Sequence, residues 1–253
     1  MLRGGLDAWL AAGFPAQPLA DPDAPTPIAW MRFTPEAPPA AATSAAPASE
    51  SLFLPRIAGQ AFLEGRTLPL RQEMVVGFVD MVGSTRLVFE RSAEEVLEVM
   101  QAFMEIVIDV GAYHCGDVHD FEGDGAFLYF EGAGEAVPAA FRLRSELVAR
   151  RRQLPALPLP RVSLDVGPVV LGVVGTRFRR TVALVGPCVH TAARILKLAP
   201  PGGIAATDAI VAHARRENPE LAREFGLREG AALSLDPELR SLRVHVAPLR
   251  EDG

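Results

Sequence analysis

The sequence predicts an α+β fold with its elements in the order strand, helix, hairpin, helix, strand, and three observations carry that reading. An apolar run of strand length, Val75-Val76-Gly77-Phe78-Val79, ends in the carboxylate of Asp80 and passes at once into Met81-Val82-Gly83-Ser84-Thr85, a turn able to open a helix. Two long segments, 93–113 and 135–152, carry apolar residues at helical spacing. Between them lies His119-Asp120-Phe121-Glu122-Gly123-Asp124-Gly125, flanked by the strand-like runs Gly116–Val118 and Ala126–Phe130, so Asp124 falls in the tight turn of a hairpin. This is the order of a ferredoxin-like split sandwich, βαββαβ, with helices on one face of the sheet.

In chain order, residues 1–15 read as a Gly-bounded helical turn expected to set Leu6, Trp9 and Leu10 on one face. They resemble the closing segment of a rhodanese domain. The loop that holds the reactive cysteine of that family is not in this chain, so no sulfurtransferase activity follows, although the resemblance implies an upstream rhodanese-like domain as a partner. Residues 16–50 are rich in Pro, Ala, Ser and Thr without a period and read as a linker. The linker continues to residue 71 as a packing segment in which Leu52, Phe53, Leu54, Ile57 and Phe62 are set to dock on the following domain or on a partner.

The first long helix directs Val96, Met100, Phe103, Met104 and Val107 inward, with Glu94 or Glu95 in its first turn. The second directs Val137, Ala140, Phe141 and Leu147 inward, and Pro155, Pro158 and Pro160 then break the chain. Arg161–Val174, rich in Val and Leu, reads as a buried strand and its turn. Val189–Leu198 reads as a further helix that sets His190 and Arg194 one turn apart on one face.

Composition narrows the function classes. The 253 residues, 49% hydrophobic and 22% charged, suffice for one full-sized core and a small appendage. The apolar runs are too short for a membrane span and no signal core opens the chain, so a cytoplasmic protein with no membrane partner is expected. A net charge of −6 speaks against a nucleic-acid partner, and the basic cluster Arg142, Arg144, Arg150, Arg151 and Arg152 reads as a solvated helix end. Cys115 and Cys188 are too few for a disulfide framework.

If the first strand runs beside the hairpin, Asp80 and Asp124 converge. Taken singly, Asp124 is a turn former and Asp80 a helix cap. Together they suit an acid/base pair, or a carboxylate clamp for Mg²⁺ or Mn²⁺. The amides of Val82, Gly83, Ser84 and Thr85 favour the clamp, because a helix start suits a polyphosphate.

Three ordered blocks carry a second resemblance: Phe78-Val79-Asp80-Met81-Val82-Gly83-Ser84-Thr85, Gly123-Asp124-Gly125, and Val185-Gly186-Pro187-Cys188-Val189-His190-Thr191-Ala192-Ala193-Arg194. In order and spacing they resemble the class III nucleotide cyclase catalytic domain, over residues 72–248. The resemblance implies attack of a ribose 3′-oxygen on the α-phosphorus of the same purine nucleoside triphosphate, with pyrophosphate leaving. It implies two divalent metals, Mg²⁺ or Mn²⁺, held by Asp80, Asp124 and a main-chain carbonyl near Met81. Arg194 is implied to steady the α-phosphate, Arg240 to align loosely with a lysine that meets the terminal phosphates, and the site to form between the subunits of a homodimer. Three positions depart from the family pattern. Asp120 stands where adenylate cyclases have a base-reading lysine and guanylate cyclases an acid, Ala183 where they have Asp or Thr, and His190 where they have a ribose-orienting asparagine. ATP is narrowly preferred as the expected substrate, GTP is its rival, and a non-catalytic nucleotide-binding or dimerising module is the alternative of another class.

Overall fold

The structure is a computed structural model that describes residues 69–176, 179–228 and 242–249. The expectations for residues 1–15, for the linker through residue 68 and for Arg240 lie outside the described residues.

β1 (Leu70–Met81) is longer than its apolar run and starts at Leu70. The Gly-Ser-Thr turn opens a short helix, α1 (Ser84–Glu90), whose N-cap Gly83 takes the left-handed conformation at φ 79° that suits glycine. α2 (Ala93–Tyr113) starts in a capping box: Ser92 N donates to Glu95 Oε2 at 3.0 Å and Glu95 N donates to Ser92 Oγ at 3.2 Å. Its core stripe is Val99, Ala102, Phe103, Val107 and Val110, while Val96, Met100 and Met104 lie on its flanks, one step off the expected face. β2 (Asp117–Glu122) and β3 (Gly125–Phe130) form the hairpin, and β2 runs on through His119 to Glu122, so the turn is only Gly123-Asp124. α3 (Ala133–Arg150) buries Val137, Ala140, Phe141 and Leu147 as expected. β4 (Pro160–Thr176) and β5 (Arg179–Val185) precede α4 (Pro187–Ile195), which tightens into a 3₁₀ turn over Leu196–Leu198. β6 (Ile204–Thr207), α5 (Asp208–Glu217), α6 (Pro219–Ala222), β7 (Gly226–Leu227) and β8 (Val244–Ala247) are the remaining elements among the described residues.

The eight strands form one sheet in the order β2-β3-β1-β4-β6-β8-β7, with β5 paired to β4. Each neighbouring pair among the first four strands, β2–β3, β3–β1 and β1–β4, is antiparallel, which is the split sandwich. One edge of β4 serves two partners: Val162–Leu164 pair in parallel with β6, and Val170–Thr176 pair with β5.

Helices cover both faces of this sheet, not one. Val75, Val79 and Met81 of β1 join the large core with residues of α2, α3 and α5. The alternate residues Met74 and Val76 join Phe127, Tyr129, Val169, Leu171, Val182 and Leu184 under Cys188 and Ala192 of α4. The second face is too apolar to leave in water: a fully buried side chain of this size contributes about 1.5–3 kcal/mol. Helical periodicity shows that α4 has an apolar side, but not which face of the sheet receives it.

Candidate active site

Asp80 and Asp124 are brought together by strand register. Asp80 lies opposite Gly125 in the β1–β3 ladder, and Met81 N donates to the main-chain oxygen of Asp124 at 3.2 Å. Gly123, at φ 61°, makes the two-residue turn that presents Asp124. Ser84 Oγ donates to Asp124 Oδ2, so the first residue of α1 holds the carboxylate in place. Asp80 is gripped from the other side by Arg161, its cross-strand partner on β4: Nε meets Oδ1 at 3.0 Å and Nη2 meets Oδ2 at 2.8 Å. This two-pronged pairing fixes the carboxylate's orientation as well as its charge balance. Both side chains keep about a quarter of their surface in solvent, 25% for Arg161 and 22% for Asp80, so the site is open.

The Val82–Thr85 turn divides in two. The Val82 amide is already given to Leu159 O at 2.9 Å, and Arg86 N and Leu87 N return to Gly83 O. The amides of Ser84 and Thr85 precede these and have no helical acceptor, as at any helix start. No atom lies within 4 Å of where a Gly83 Cβ would stand, so the turn faces free space.

One row along the sheet, the β2–β3 register slips between Val118 and Asp120, leaving His119 as the extra residue of a β-bulge. The bulge puts neighbouring side chains on the same face: Asp120 is opposite Phe127, while the His119 ring meets Phe127 edge-on at 5.0 Å and Tyr129 at 6.5 Å. Phe127 stacks on Phe78 with centroids 4.8 Å apart and planes 8° from parallel, giving an aromatic floor in the row above Asp80. Asp120 is exposed, and its Oδ1 accepts from Phe121 N at 2.8 Å. Burial pushes the His119 imidazole below its ordinary pKa, against the opposing pull of Asp120 and Asp117. Two strand spacings and two residues separate Asp120 from Asp80, about 12 Å across the face.

α4 packs on that same face and turns His190 and Arg194 outward. Both are exposed, and neither has a hydrogen bond or ion pair with a described residue. Ser163 Oγ donates to Ala192 O at 2.8 Å, which ties the helix to β4 two residues from Arg161. Asp165 is buried at 7% exposure between β4, β6 and α4; it accepts from Thr207 Oγ1 at 2.6 Å and Val166 N at 2.8 Å, and Thr191 also reaches it. Burial raises the Asp165 pKa, and it pushes the nearby Cys188 thiol up to about 11, an unreactive state. Ala183 is half-buried on β5 opposite Gly172.

Of the residues singled out in the sequence, the structure brings Asp80, Asp124 and the Gly83–Ser84 turn together and leaves His190 and Arg194 exposed on α4, while Arg161, His119, the Phe78–Phe127 floor and Asp165 were not singled out. Arg161 carried one signal, a cation opening an otherwise apolar strand just after Pro160.

No family model matches this chain. An uncharacterized protein of Mycobacterium tuberculosis is 32% identical over 189 residues, which cover 71% of this chain and 32% of that protein. A second uncharacterized protein of that organism is 33% identical over 132 residues, 51% of this chain and 23% of its own length. The chain thus spans at most about a third of the curated relatives it matches. Among solved structures, the adenylyl cyclase CyaB from P. aeruginosa is similar with a TM-score of 0.62 at 21% identity, covering 74% of this chain and 100% of that one. The guanylyl cyclase Cya2 gives 0.58 at 21% identity over 72% and 95% of the two chains. An adenylate/guanylate cyclase/hydrolase from Silicibacter pomeroyi gives 0.56 at 22% identity over 72% and 99%. The chain therefore has the fold of the cyclase catalytic core. Among the described residues no helix is long and apolar enough to cross a membrane.

Proposed function

We propose that this chain is a nucleotide cyclase that converts a purine nucleoside triphosphate, ATP in preference to GTP, to its 3′,5′-cyclic monophosphate and pyrophosphate for intracellular signalling. The observation that carries this is the convergence of Asp80 and Asp124 beside a turn with free amides, on a fold shared with adenylyl and guanylyl cyclases.

In the reaction the ribose 3′-oxygen loses its proton and forms a bond to the α-phosphorus, while the bond to pyrophosphate breaks. Asp80, Asp124 and a main-chain oxygen near Met81 fit hard cations such as Mg²⁺ or Mn²⁺. Among the described residues no cluster of three or more acidic, His or Cys side chains adds to them, so such ions would complete their shells with substrate phosphate and water. Bound there, they would lower the pKa of the 3′-hydroxyl and offset polyphosphate charge. Ser84 keeps Asp124 in position. The Ser84 and Thr85 amides and the Arg161 guanidinium lie where a polyphosphate would be drawn.

Arg194 and His190, with no partner among the described residues, are suited to reach across to a second copy, where Arg194 would meet charge building on the α-phosphate and His190 the ribose. The proposed working unit is therefore a homodimer. The silent-module alternative draws on Asp120, Ala183 and His190, and on the grip of Arg161 on Asp80.

The test is incubation of the purified chain with each common nucleoside triphosphate and Mn²⁺. Asp80→Ala and Asp124→Ala are expected to abolish product while the dimer stays intact, and mixing Asp80→Ala with Arg194→Ala chains should restore part of the turnover. Failure with every nucleotide would leave the silent module as the function, and absence of restoration would place the site within one subunit.

A further inference from the structure

Arg161 and a divalent cation have the same claim on Asp80. Arg161 Nε donates to Oδ1 at 3.0 Å and Nη2 donates to Oδ2 at 2.8 Å, so one permanently charged fork takes both oxygens of that carboxylate. Ser84 Oγ takes Oδ2 of Asp124. Of the four carboxylate oxygens, only Asp124 Oδ1 accepts no hydrogen bond from a described residue. A divalent cation on Asp80 would also lie against a guanidinium of like charge, in a half-buried place where such repulsion is weakly screened. The main chain of Arg161 is fixed: it pairs with Asp80 in the β1–β4 ladder, and Leu159 O, two residues before it, accepts from Val82 N. Its side chain is held by less. A quarter of it faces solvent, and no hydrogen bond or ion pair ties the guanidinium to any described residue other than Asp80. The fork can therefore swing away while the sheet stays as it is.

We infer that Arg161 is a latch on the cation site, closing Asp80 to divalent cations until the polyphosphate of a nucleotide draws it off. This rests on the reading of Asp80 and Asp124 as the cation-holding acids of a cyclase, and adds to it an order of binding in which the nucleotide comes before the metal or with it. A polyphosphate can open the latch because it offers the fork a paired set of oxygens with more negative charge than one carboxylate. Phosphates that take Arg161 also stand beside the Ser84 and Thr85 amides, which have no helical acceptor. One event thus frees Asp80 and supplies the phosphate oxygens that a hard cation shares. The affinities for nucleotide and cation are then coupled, each raising the other by the same factor. On this account the grip of Arg161 on Asp80 is the resting position of a working site and not the mark of a silent one.

The experiment reads binding on the full chain and needs no turnover. Mn²⁺ alone is titrated into wild type, Arg161→Gln, Arg86→Gln and the double variant Asp80→Asn with Arg161→Gln, followed by electron paramagnetic resonance of the free ion, with thermal unfolding as a check on folding. Gln keeps one amide donor for Asp80. Arg86 is the charge control: it lies on α1 two residues after Ser84, and its Nε pairs with Glu90 at 2.6 Å. Arg161→Gln should bind Mn²⁺ about ten- to a hundredfold more tightly than wild type, the range of one hydrogen bond to a charged group. Arg86→Gln should stay within about twofold of wild type, and the double variant should lose the gain. ATP in EDTA, followed by calorimetry, reads the other half of the exchange. Asp80→Asn should tighten its binding, and by about threefold more with Arg161 present than in the Arg161→Gln background, because only there must ATP break the pair. An arginine that stays on Asp80 would screen the carboxylate from the phosphates and make that gain smaller in its presence. The latch alone is overturned by equal Mn²⁺ affinity in wild type and Arg161→Gln, by an equal rise in Arg86→Gln, or by a gain for ATP no larger with Arg161 than without it. Failure of wild type and every variant to bind Mn²⁺ overturns the latch together with the metal assignment on which the cyclase reading depends.

Discussion

Gly125→Ala tests whether the spacing between the two acids is what the site depends on. Gly125 opens β3 directly opposite Asp80, and a Cβ there would stand 2.8 Å from Val79 O and 3.4 Å from Asp80 Cβ. Carbon and oxygen settle at about 3.3 Å or more, so β3 must retreat by roughly 0.5 Å from a main-chain atom that cannot swing aside. Overpacking of this kind costs about 1–3 kcal/mol, offset by about 0.4–1 kcal/mol from the stiffer unfolded chain. The mid-range net cost is about 1.3 kcal/mol, so at roughly 2–4 °C per kcal/mol for a domain of this size the unfolding midpoint should fall by about 3–5 °C. Because Asp124 precedes Gly125, the same retreat moves the two carboxylates apart. A 1 Å error in a catalytic constellation costs on the order of a hundredfold, so half of that should cost about tenfold in kcat. Thermal unfolding by circular dichroism, beside turnover with saturating Mn²⁺, reads both quantities. Gly123→Ala is the control: its φ of 61° makes any side chain cost about 1–2 kcal/mol, yet no atom lies within 4 Å, so stability should drop while turnover stays above half. An unchanged midpoint in Gly125→Ala, or equal loss of turnover in both variants, refutes the reasoning.

Two further outcomes follow from the charged groups around the site. Asp165, whose folded pKa is raised by burial, holds stability that is full below its ordinary value of 3.8 and is lost as pH rises through the folded value. Asn at that position does not titrate and keeps an oxygen for Thr207, so the midpoint of Asp165→Asn minus that of wild type should grow from about pH 4 to about pH 7; a constant or shrinking difference would show that the buried carboxyl carries no penalty. Arg161→Ala leaves a mostly buried Asp80 carboxylate without the partner of both its oxygens, so folding should weaken by about 1–3 kcal/mol, while KM for the nucleotide should rise about tenfold or more; an unchanged KM would mean that Arg161 serves Asp80 and never the phosphates.

Much of the fold was legible in the chain because the signals are local. The acidic first turn and apolar spacing of α2, the apolar spacing of α3, the Asp-Gly turn and the Val75–Val79 run each lie within a few residues, and each formed the expected element. Asp80 and Asp124 could be paired from sequence because each closes a strand or a turn whose end was visible. Three things depend on relations between distant segments. Arg161 reaches Asp80 across 81 residues through a ladder in which a slip of one would turn it to the opposite face. His119 joins Asp120 only because β2 carries an extra residue against β3, a mismatch that neither strand shows alone. Likewise α4 covers the second face because Met74, Val76, Phe127 and Leu171 collect there once four strands have assembled. Periodicity and turn chemistry act along the chain and can be read from it, whereas register and the choice of face come from packing between strands and exist only in the assembled sheet.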